Sequence, residues 1–490
     1  MSVDGPYDVL IAGGGAAGLS AALGALEFAA ESATRDVRIG MLERAPKEHR
    51  GGNTYWSTAG FRMSDENTLT PDFYEYWAPR SRDIEPYVKV LGQDAPNALK
   101  WLIGKGLTFD IGDPVFMTTD KPRMRPNGDG QAIVDLLYRD IEATAEGVPC
   151  GPGGQYRASI EVLYEQAAVG LVIADDGAVT GLRVRSRGGR VRAVDAGAVI
   201  LATGGFEGNS EMLTRYLGYE VPPISRGGTY NRGEGTTMAL AAGAKPTGQW
   251  NEFHPLPADP RTMSPDQGRL TFAALMETIP YSIVVNKAGQ RFMDEGQDSM
   301  DELYDVVARS VQRQQDQTAY IIYDDATAQD KAWQKAVSRD MTTPSYQADT
   351  IAELAALLDL DPSTLEETVR SFNEATSGDQ SGFDPFRTDG LATERELEPR
   401  KSNWAKPIVA APFYAIPATC AVVFCFGGIG TNEDAEVITA DDTTIAGLYA
   451  AGAMTGVYHH DYVGATSVMR SIVFGRIAGR RALEHSGSAA

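Results

Sequence analysis

Cysteine is scarce in this 490-residue chain, which has three, Cys150, Cys420 and Cys425. Their spacing matches no metal-binding pattern and is too sparse for a disulfide framework, which fits a reducing compartment. Long apolar runs are missing, and nothing approaches the ~18 residues of a membrane-spanning helix. Positive charge is outnumbered, 44 Lys and Arg against 66 Asp and Glu, for a formal net charge of −22. That excess of acid argues against sequence-independent binding to nucleic acid and against docking on anionic lipid. It leaves small anionic ligands open, since a few local arginines suffice. No C-x-x-C-H haem motif, internal repeat or low-complexity tract occurs. The opening residues, MSVDGP, carry no signal peptide and run straight into an apolar stretch, so a cytoplasmic location is expected.

Glycine is plentiful, with 52 residues, and signals many tight turns near a ligand. The length implies two or three domains. The most informative glycines lie in DVLIAGGGAAG, Asp8 to Gly18. Val9 to Ala12 predicts a buried strand and Leu19 to Ala30 an Ala-rich helix. Between them, Gly13, Gly15 and Gly18 have G-x-G-x-x-G spacing. The first allows a tight turn, the second lets a pyrophosphate approach the backbone, and the third lets helix pack on strand. The helix N-terminus offers free N–H groups and partial positive charge to a diphosphate. A second strand, Val37 to Leu42, ends in Glu43, where a carboxylate can accept hydrogen bonds from ribose hydroxyls. Strand, glycine turn, helix and second strand together indicate a dinucleotide-binding unit.

Beyond Glu43, residues Gly51, Gly52, Asn53 and Thr54 form a second glycine-rich turn, followed by Ala59 and Gly60. Small residues let backbone approach a flat ring, and Asn53 and Thr54 offer it polar groups. Residues 70–110 predict helix, with Tyr74, Trp77, Tyr87 and Trp101 mostly in the core. Arg123 and Arg125 occupy a loop that faces either solvent or an anion. Residues 167–199 alternate as a β meander, which closes on an apolar strand running into Thr203, Gly204 and Gly205. His254 stands between Phe253 and Pro255; taken alone, it is more readily a structural residue than a ligand. From 300 to 410 the composition becomes charged and helical, a separate α+β lobe. The last ninety residues regain glycine at 427, 428, 430 and in GLYAAG, 447–452. A loop with His459, His460, Asp461 and Tyr462 leads to a long closing helix that starts near Gly464 to Ser467. Its N-terminus is a second place to stabilise negative charge.

The fingerprint with Glu43, then GGNTYWSTAGFRM, ATGGF, NRGEG, FHP, VVNKAGQRF, FGGI, GLYAAG and VFGRIAG, follow one another over nearly the whole chain. As a set they resemble the flavoproteins of the fumarate reductase and succinate dehydrogenase type, including 3-ketosteroid dehydrogenases and tricarballylate dehydrogenase. The GGNT…FR and RFMDEG stretches look nearest to the tricarballylate dehydrogenase-like branch. The resemblance implies an α/β fold, a Rossmann-like FAD-binding domain with an inserted α+β capping domain. Residues 1–250 would begin the FAD-binding domain, 251–420 would form the cap over the substrate, and 421–490 would complete the FAD-binding domain. FAD is the implied cofactor, with Gly13, Gly15, Ala16, Ala17 and Gly18 at the diphosphate and Glu43 and Arg44 at the adenosine ribose. Gly52, Asn53, Thr54, Thr58, Ala59 and Gly60 would lie near the flavin, as would Ala202, Thr203 and Gly204. Gly452, Ala453, Ser467 and Val468 would follow its pyrimidine end. His254 matches the family's HP histidine, which contacts substrate.

Departures from the family pattern narrow the expectation. Covalent members attach FAD through a His where this chain has Asn53, so non-covalent FAD is expected. Ser299, Phe424 and Tyr462 stand where fumarate reductases carry a proton-delivering Arg, a substrate His and a substrate Arg. Fumarate is therefore not the expected substrate. The resemblance implies an enzyme that desaturates a C–C bond beside the carbonyl or carboxyl of a small molecule, or an ene-reductase running the same site backwards. A non-catalytic flavin-binding protein is a third reading. Protein groups must orient the substrate, supply a base and stabilise oxyanion charge. Tyr462 is the candidate base, or a ring stacked on the flavin, with His254, His459 or His460 tuning it or binding substrate. Arg291 and Arg125 are candidate carboxylate clamps, Arg291 also a brace of the cap. No second flavin domain is present, so electrons pass to or from an external partner.

Overall fold

The computed structural model describes residues 6–81, 84–111, 123–218, 222, 224–262, 272–338, 343–376 and 378–487. The fingerprint folds as a buried strand, Tyr7–Ala12, the glycine turn, a helix, Ala16–Ser32, and a second strand, Val37–Glu43. These strands belong to a sheet of nine among the described residues. Its centre is parallel, in the order Thr444–Ala450, Val191–Leu201, Tyr7–Ala12, Val37–Glu43 and Tyr156–Tyr164. Leu10 is in register with Gly40 on one side and Val199 on the other. Central parallel strands are covered on both faces, which is why Val9 to Ala12 and Val199 to Leu201 read as unbroken apolar runs. The antiparallel meander of Gln166–Ile173, Val179–Ser186 and Val191–Leu201 extends this sheet. Parallel pairing gathers the strand ends at Gly13, Glu43, Ala202 and Ala451 along one edge, the usual ligand position of open α/β sheets.

The closing helix, Ser467–His485, packs backbone to backbone against Ala16–Ser32. A Cβ added at Gly479 would lie 2.0 Å from the Ala21 carbonyl oxygen, and one at Gly475 2.4 Å from that of Ala17. These glycines bring the two ends of the chain to one site. Between residues 70 and 110, the described part holds two helices, Phe73–Trp77 and Glu85–Gly104. Trp77 and Tyr87 are core residues, but Tyr74 is exposed. Among the described residues, no helix is long and apolar enough to cross a membrane.

A second sheet, of six strands among the described residues, is built around Phe413–Cys425. That strand pairs antiparallel with Ala319–Asp324, Tyr346–Ala348 and Phe253–Ala258, and parallel with Ile224–Ser225. Residue 420, where the resemblance ends the inserted lobe, lies within this strand, whose pairing continues to Cys425. His254 lies directly opposite Phe424 in this register, with a bulge before Pro255. Strand pairing thus carries the histidine to the floor of the cap.

Candidate active site

A cleft opens over the ends of the parallel strands. Gly13, Gly15, Ala16 and Ala17 form one wall. Glu43, Arg44, Gly52, Asn53 and Thr54 form the next, and Ala202, Thr203, Gly204, Gly452 and Ala453 the far side. Gly13 has φ +111°, and a Cβ there would sit 2.3 Å from the Ala202 carbonyl oxygen. At Gly15 a Cβ would meet nothing nearer than 3.6 Å, so the cradle is open to a ligand. Gly18 does not line the cleft: it lies under the turn, where a Cβ would reach 1.9 Å from the Gly13 carbonyl oxygen. The Ala16–Ser32 helix begins without a side-chain cap or an acidic residue in its first turn. The Ala16 N–H donates to Thr54 Oγ1 at 3.1 Å. An uncapped helix start beside an open glycine cradle fits a diphosphate.

Glu43 is 6% exposed at the cleft wall, and its Oε1 accepts the Ala45 N–H at 2.8 Å. Burial pushes its carboxyl up, against the pull of backbone N–H groups from Ala45, Gly14, Gly51 and Arg44. Hydroxyl donors from a ribose would satisfy it further. Arg44 is held by Glu234 at 2.6 Å. His49, Gln166, Tyr230, Asn231 and Glu234 also line the cleft. Asn231 and Glu234 lie in the NRGEG stretch, where the helix Glu234–Ala241 begins.

Asn53 ties three segments together. Its Nδ2 donates to Glu207 Oε1 at 2.5 Å and to the Val423 carbonyl at 3.0 Å, and its Oδ1 accepts the Gly228 N–H at 2.9 Å. Asn231 Nδ2 donates to the same Glu207 oxygen at 2.6 Å. Glu207 is 1% exposed. Burial pushes its carboxyl up to about 7, although Asn231, Asn53 and the backbone N–H groups of Glu207 and Cys425 favour the ion. Nothing in the GGFEG stretch distinguishes this residue from a solvated loop Glu.

Residues 52–60 continue from this cleft into a second one. Thr58, Ala59, Gly60, Ser467 and Val468 line this second cleft rather than the first. His254, Met276, Asp301, Tyr304 and Phe424 face them, together with Arg226 and Tyr462. The His254 ring lies 4.4 Å from that of Tyr462, 5.4 Å from Phe424 and 5.5 Å from Tyr304 between centroids. Burial, reinforced by Arg226 and Arg309, holds this imidazole well below its ordinary pKa, so it is neutral near pH 7. The Tyr462 hydroxyl oxygen accepts the N–H groups of Thr466 at 3.2 Å and Ser467 at 3.0 Å, and donates to Ser467 Oγ at 3.0 Å. It caps the closing helix. Arg226 is buried, with its N–H on the Val422 carbonyl at 2.7 Å and its Nη2 donating to the Trp56 carbonyl. Asp301 is 6% exposed; its Oδ2 accepts from Arg123 Nη2.

Four residues singled out in the sequence do not line either cleft. His459 donates its N–H to the Arg80 carbonyl at 2.8 Å, and His460, exposed at φ +63°, donates its N–H to Gln249 Oε1 at 2.8 Å. The loop swings outward between Tyr458 and Tyr462, which takes the histidine pair away from the cleft. Arg291 forks onto Glu295 at 2.5 Å, donates to the Pro399 carbonyl at 2.5 Å and covers the Phe372 ring. Its charge is matched by Glu295. Arg125 pairs with Asp129 at 2.5 Å.

An open parallel sheet with a glycine cradle at a helix start and a buried carboxylate at the neighbouring strand end fits a dinucleotide-binding protein. The FAD binding domain family matches residues 8–467, and the chain belongs to that family. It is an FAD-dependent oxidoreductase of the class acting on carbon–carbon bonds. It is 26% identical to the probable fumarate reductase Ifc3 of Shewanella frigidimarina, over 98% of this chain and 75% of that relative. It is 30% identical to 4-oxocyclohexanecarboxylate 2-dehydrogenase of Sinomonas cyclohexanicum, over 72% of this chain and 60% of that relative. The open conformation of a flavocytochrome c3 fumarate reductase shares the fold, with a TM-score of 0.76 at 23% identity, over 98% of this chain and 79% of that one.

Proposed function

We infer that the protein desaturates a small cyclic ketone or monocarboxylic acid at the bond beside its carbonyl or carboxyl group. The observation that carries this reading is the polarity of the second cleft. Among the described residues, Arg226 is the arginine of its lining, set in a wall of His254, Leu256, Met276, Tyr304, Val423, Phe424, Tyr462 and Val468. A dicarboxylate needs a cationic contact at each end. Here Phe424 and Tyr462 are aromatic wall, and Ser299 is the N-cap of the helix Met300–Gln312. A guanidinium donates strongly to a carbonyl or carboxylate oxygen and stabilises the negative charge that grows there as the adjacent carbon loses a proton. His254, held neutral, adds a hydrogen bond rather than a charge.

FAD in the first cleft supplies the hydride acceptor. The residues fit a non-covalent cofactor: glycines 13 and 15 shape the diphosphate cradle, Glu43 and Arg44 stand at the ribose, and Asn53 is committed to Glu207, Val423 and Gly228. Thr58, Ala59, Gly60, Ser467 and Val468 then bound the space where the ring meets substrate. Electrons leave to an external acceptor, and three free, buried cysteines fit a cytoplasmic location.

The test is anaerobic titration of the yellow protein with saturated cyclic ketones and monocarboxylic acids. Bleaching of the flavin absorbance supports desaturation. The resemblance to a fumarate reductase favours the opposite direction as a second reading. That reading wins if dithionite-reduced protein is reoxidised by enones or enoates while saturated compounds leave the oxidised protein unchanged. Acid precipitation should release the FAD into the supernatant; flavin retained in the pellet rules out non-covalent binding.

A further inference from the structure

Desaturation beside a carbonyl sends a hydride one way and a proton another, and the proton needs an acceptor. We propose that Asp301 is that acceptor, with Oδ1 taking the proton from the carbon next to the carbonyl or carboxyl group. This rests on the desaturation reading above and adds the base to it.

Asp301 enters the second cleft from the first turn of the helix Met300–Gln312. Its two oxygens have different surroundings. Oδ2 is held by Arg123, itself buried, whose Nη1 also donates to the Gly464 carbonyl at 3.4 Å. Arg62 donates to the same carbonyl at 3.2 Å and to Asp72 at 2.9 Å. The carboxylate is thus fixed in place by a buried ionic scaffold. Oδ1 is buried and has no hydrogen-bond partner among the described residues. A buried acceptor without a donor costs on the order of 1–3 kcal/mol, more when charged, unless something entering the cleft supplies the donor.

The other candidates are less available. The Tyr462 oxygen already takes two backbone N–H groups, and its proton is directed at Ser467 Oγ. His254 also has an unpartnered Nδ1, but its ring is held among the Tyr304, Phe424 and Tyr462 rings rather than by an ion pair like the one that fixes Asp301. Arg123 and Arg62 position Asp301 and, as guanidinium ions, cannot accept a proton.

The step balances. The carbon beside the carbonyl loses H⁺ to Asp301 Oδ1, and its C–H electron pair becomes the new C=C bond. The neighbouring carbon loses hydride, with two electrons, to FAD. Protonated Asp301 returns its proton to solvent as product leaves.

The experiment uses dithionite-reduced holoenzyme in D2O with 4-oxocyclohexanecarboxylate as probe, so that hydride transfer is blocked and proton removal alone is read. Proton NMR follows loss of the C–H signals beside the ketone, and calorimetry gives the dissociation constant. Wild type is expected to accelerate exchange, and Asp301→Asn to slow it at least ~100-fold, within the range for a positioned base, with affinity changed less than about threefold. Tyr462→Phe is expected to slow the exchange far less than Asp301→Asn. Asp301→Glu, a carboxylate displaced by one methylene, should retain part of it and carries the test if Asp301→Asn fails to hold FAD. Exchange at the wild-type rate in Asp301→Asn, exchange lost in Tyr462→Phe alone, or no exchange by wild type overturns the assignment. Failure of the desaturation reading looks different: no saturated compound bleaches the wild-type flavin, whatever the variants do.

Discussion

Glu207 should make the folded protein weaken as pH rises, and replacing it should remove that dependence. Its carboxyl is lifted from an ordinary 4.5 to about 7, chiefly by burial. Below pH ~4.5 the group is protonated in folded and unfolded chains alike, so it contributes no difference. Between about 4.5 and 7 the unfolded chain releases its proton while the folded chain keeps it. Stability from this site is therefore full below the unfolded pKa and is lost as pH climbs through the folded one. The loss reaches about 3 kcal/mol above pH ~8, at 1.36 kcal/mol for each pH unit between the two values. Glu207→Gln removes the charge and leaves a side-chain oxygen for Asn53 and Asn231, which donate to Glu207 Oε1 at 2.5 and 2.6 Å. The assay is urea denaturation of both holoproteins, followed by far-UV circular dichroism at pH 5 and pH 8.5. The stability difference, variant minus wild type, should be larger at pH 8.5 by about 2–3 kcal/mol. A difference equal at the two pH values refutes the reasoning, whatever its sign, because any pH-independent packing effect cancels in the comparison.

Other predictions concern the two clefts and the cap. Gly13→Ala forces a Cβ to 2.3 Å from the Ala202 carbonyl at φ +111°; the purified variant should be largely colourless, and a full flavin complement counts against the cradle. Arg226→Gln should raise KM for ketone or acid ~10–100-fold, the equivalent of one charge-assisted hydrogen bond, at unchanged flavin content. A change in flavin content with KM intact would place Arg226 at the cofactor instead. Arg291→Met leaves Glu295 buried without its partner and should cost about 3–5 kcal/mol; denaturation midpoints check it, and a midpoint equal to wild type removes Arg291 as a brace.

The parts legible in the sequence were those whose cause is local. Glycine geometry and the apolar runs around it specify the first turn within a dozen residues, and the structure places Gly13, Gly15, Glu43 and Thr54 around one cleft accordingly. The cap's central strand is a different case. Pro417 interrupts its apolar pattern, and its identity comes from pairing with residues 319–324, nearly a hundred positions earlier. The ionisable groups of the second cleft are further still from local legibility. Asp301 reads as an ordinary acidic residue in a helix's first turn, Arg226 as a loop cation, and Glu207 as a polar residue after a glycine pair. Each becomes distinctive by burial, which strand Phe413–Cys425 and the segments around it impose. His459, His460 and Arg291 are residue types that suit catalysis, but the first two lie on an outward loop and the third pairs with buried Glu295. In this chain the cofactor cleft is written as a contiguous motif, whereas the second cleft is assembled from residues of seven separate segments. A motif search therefore finds where a dinucleotide sits. The chemistry beside it emerges once one asks which polar atoms are shut away from water without a partner, and Asp301 Oδ1 is such an atom.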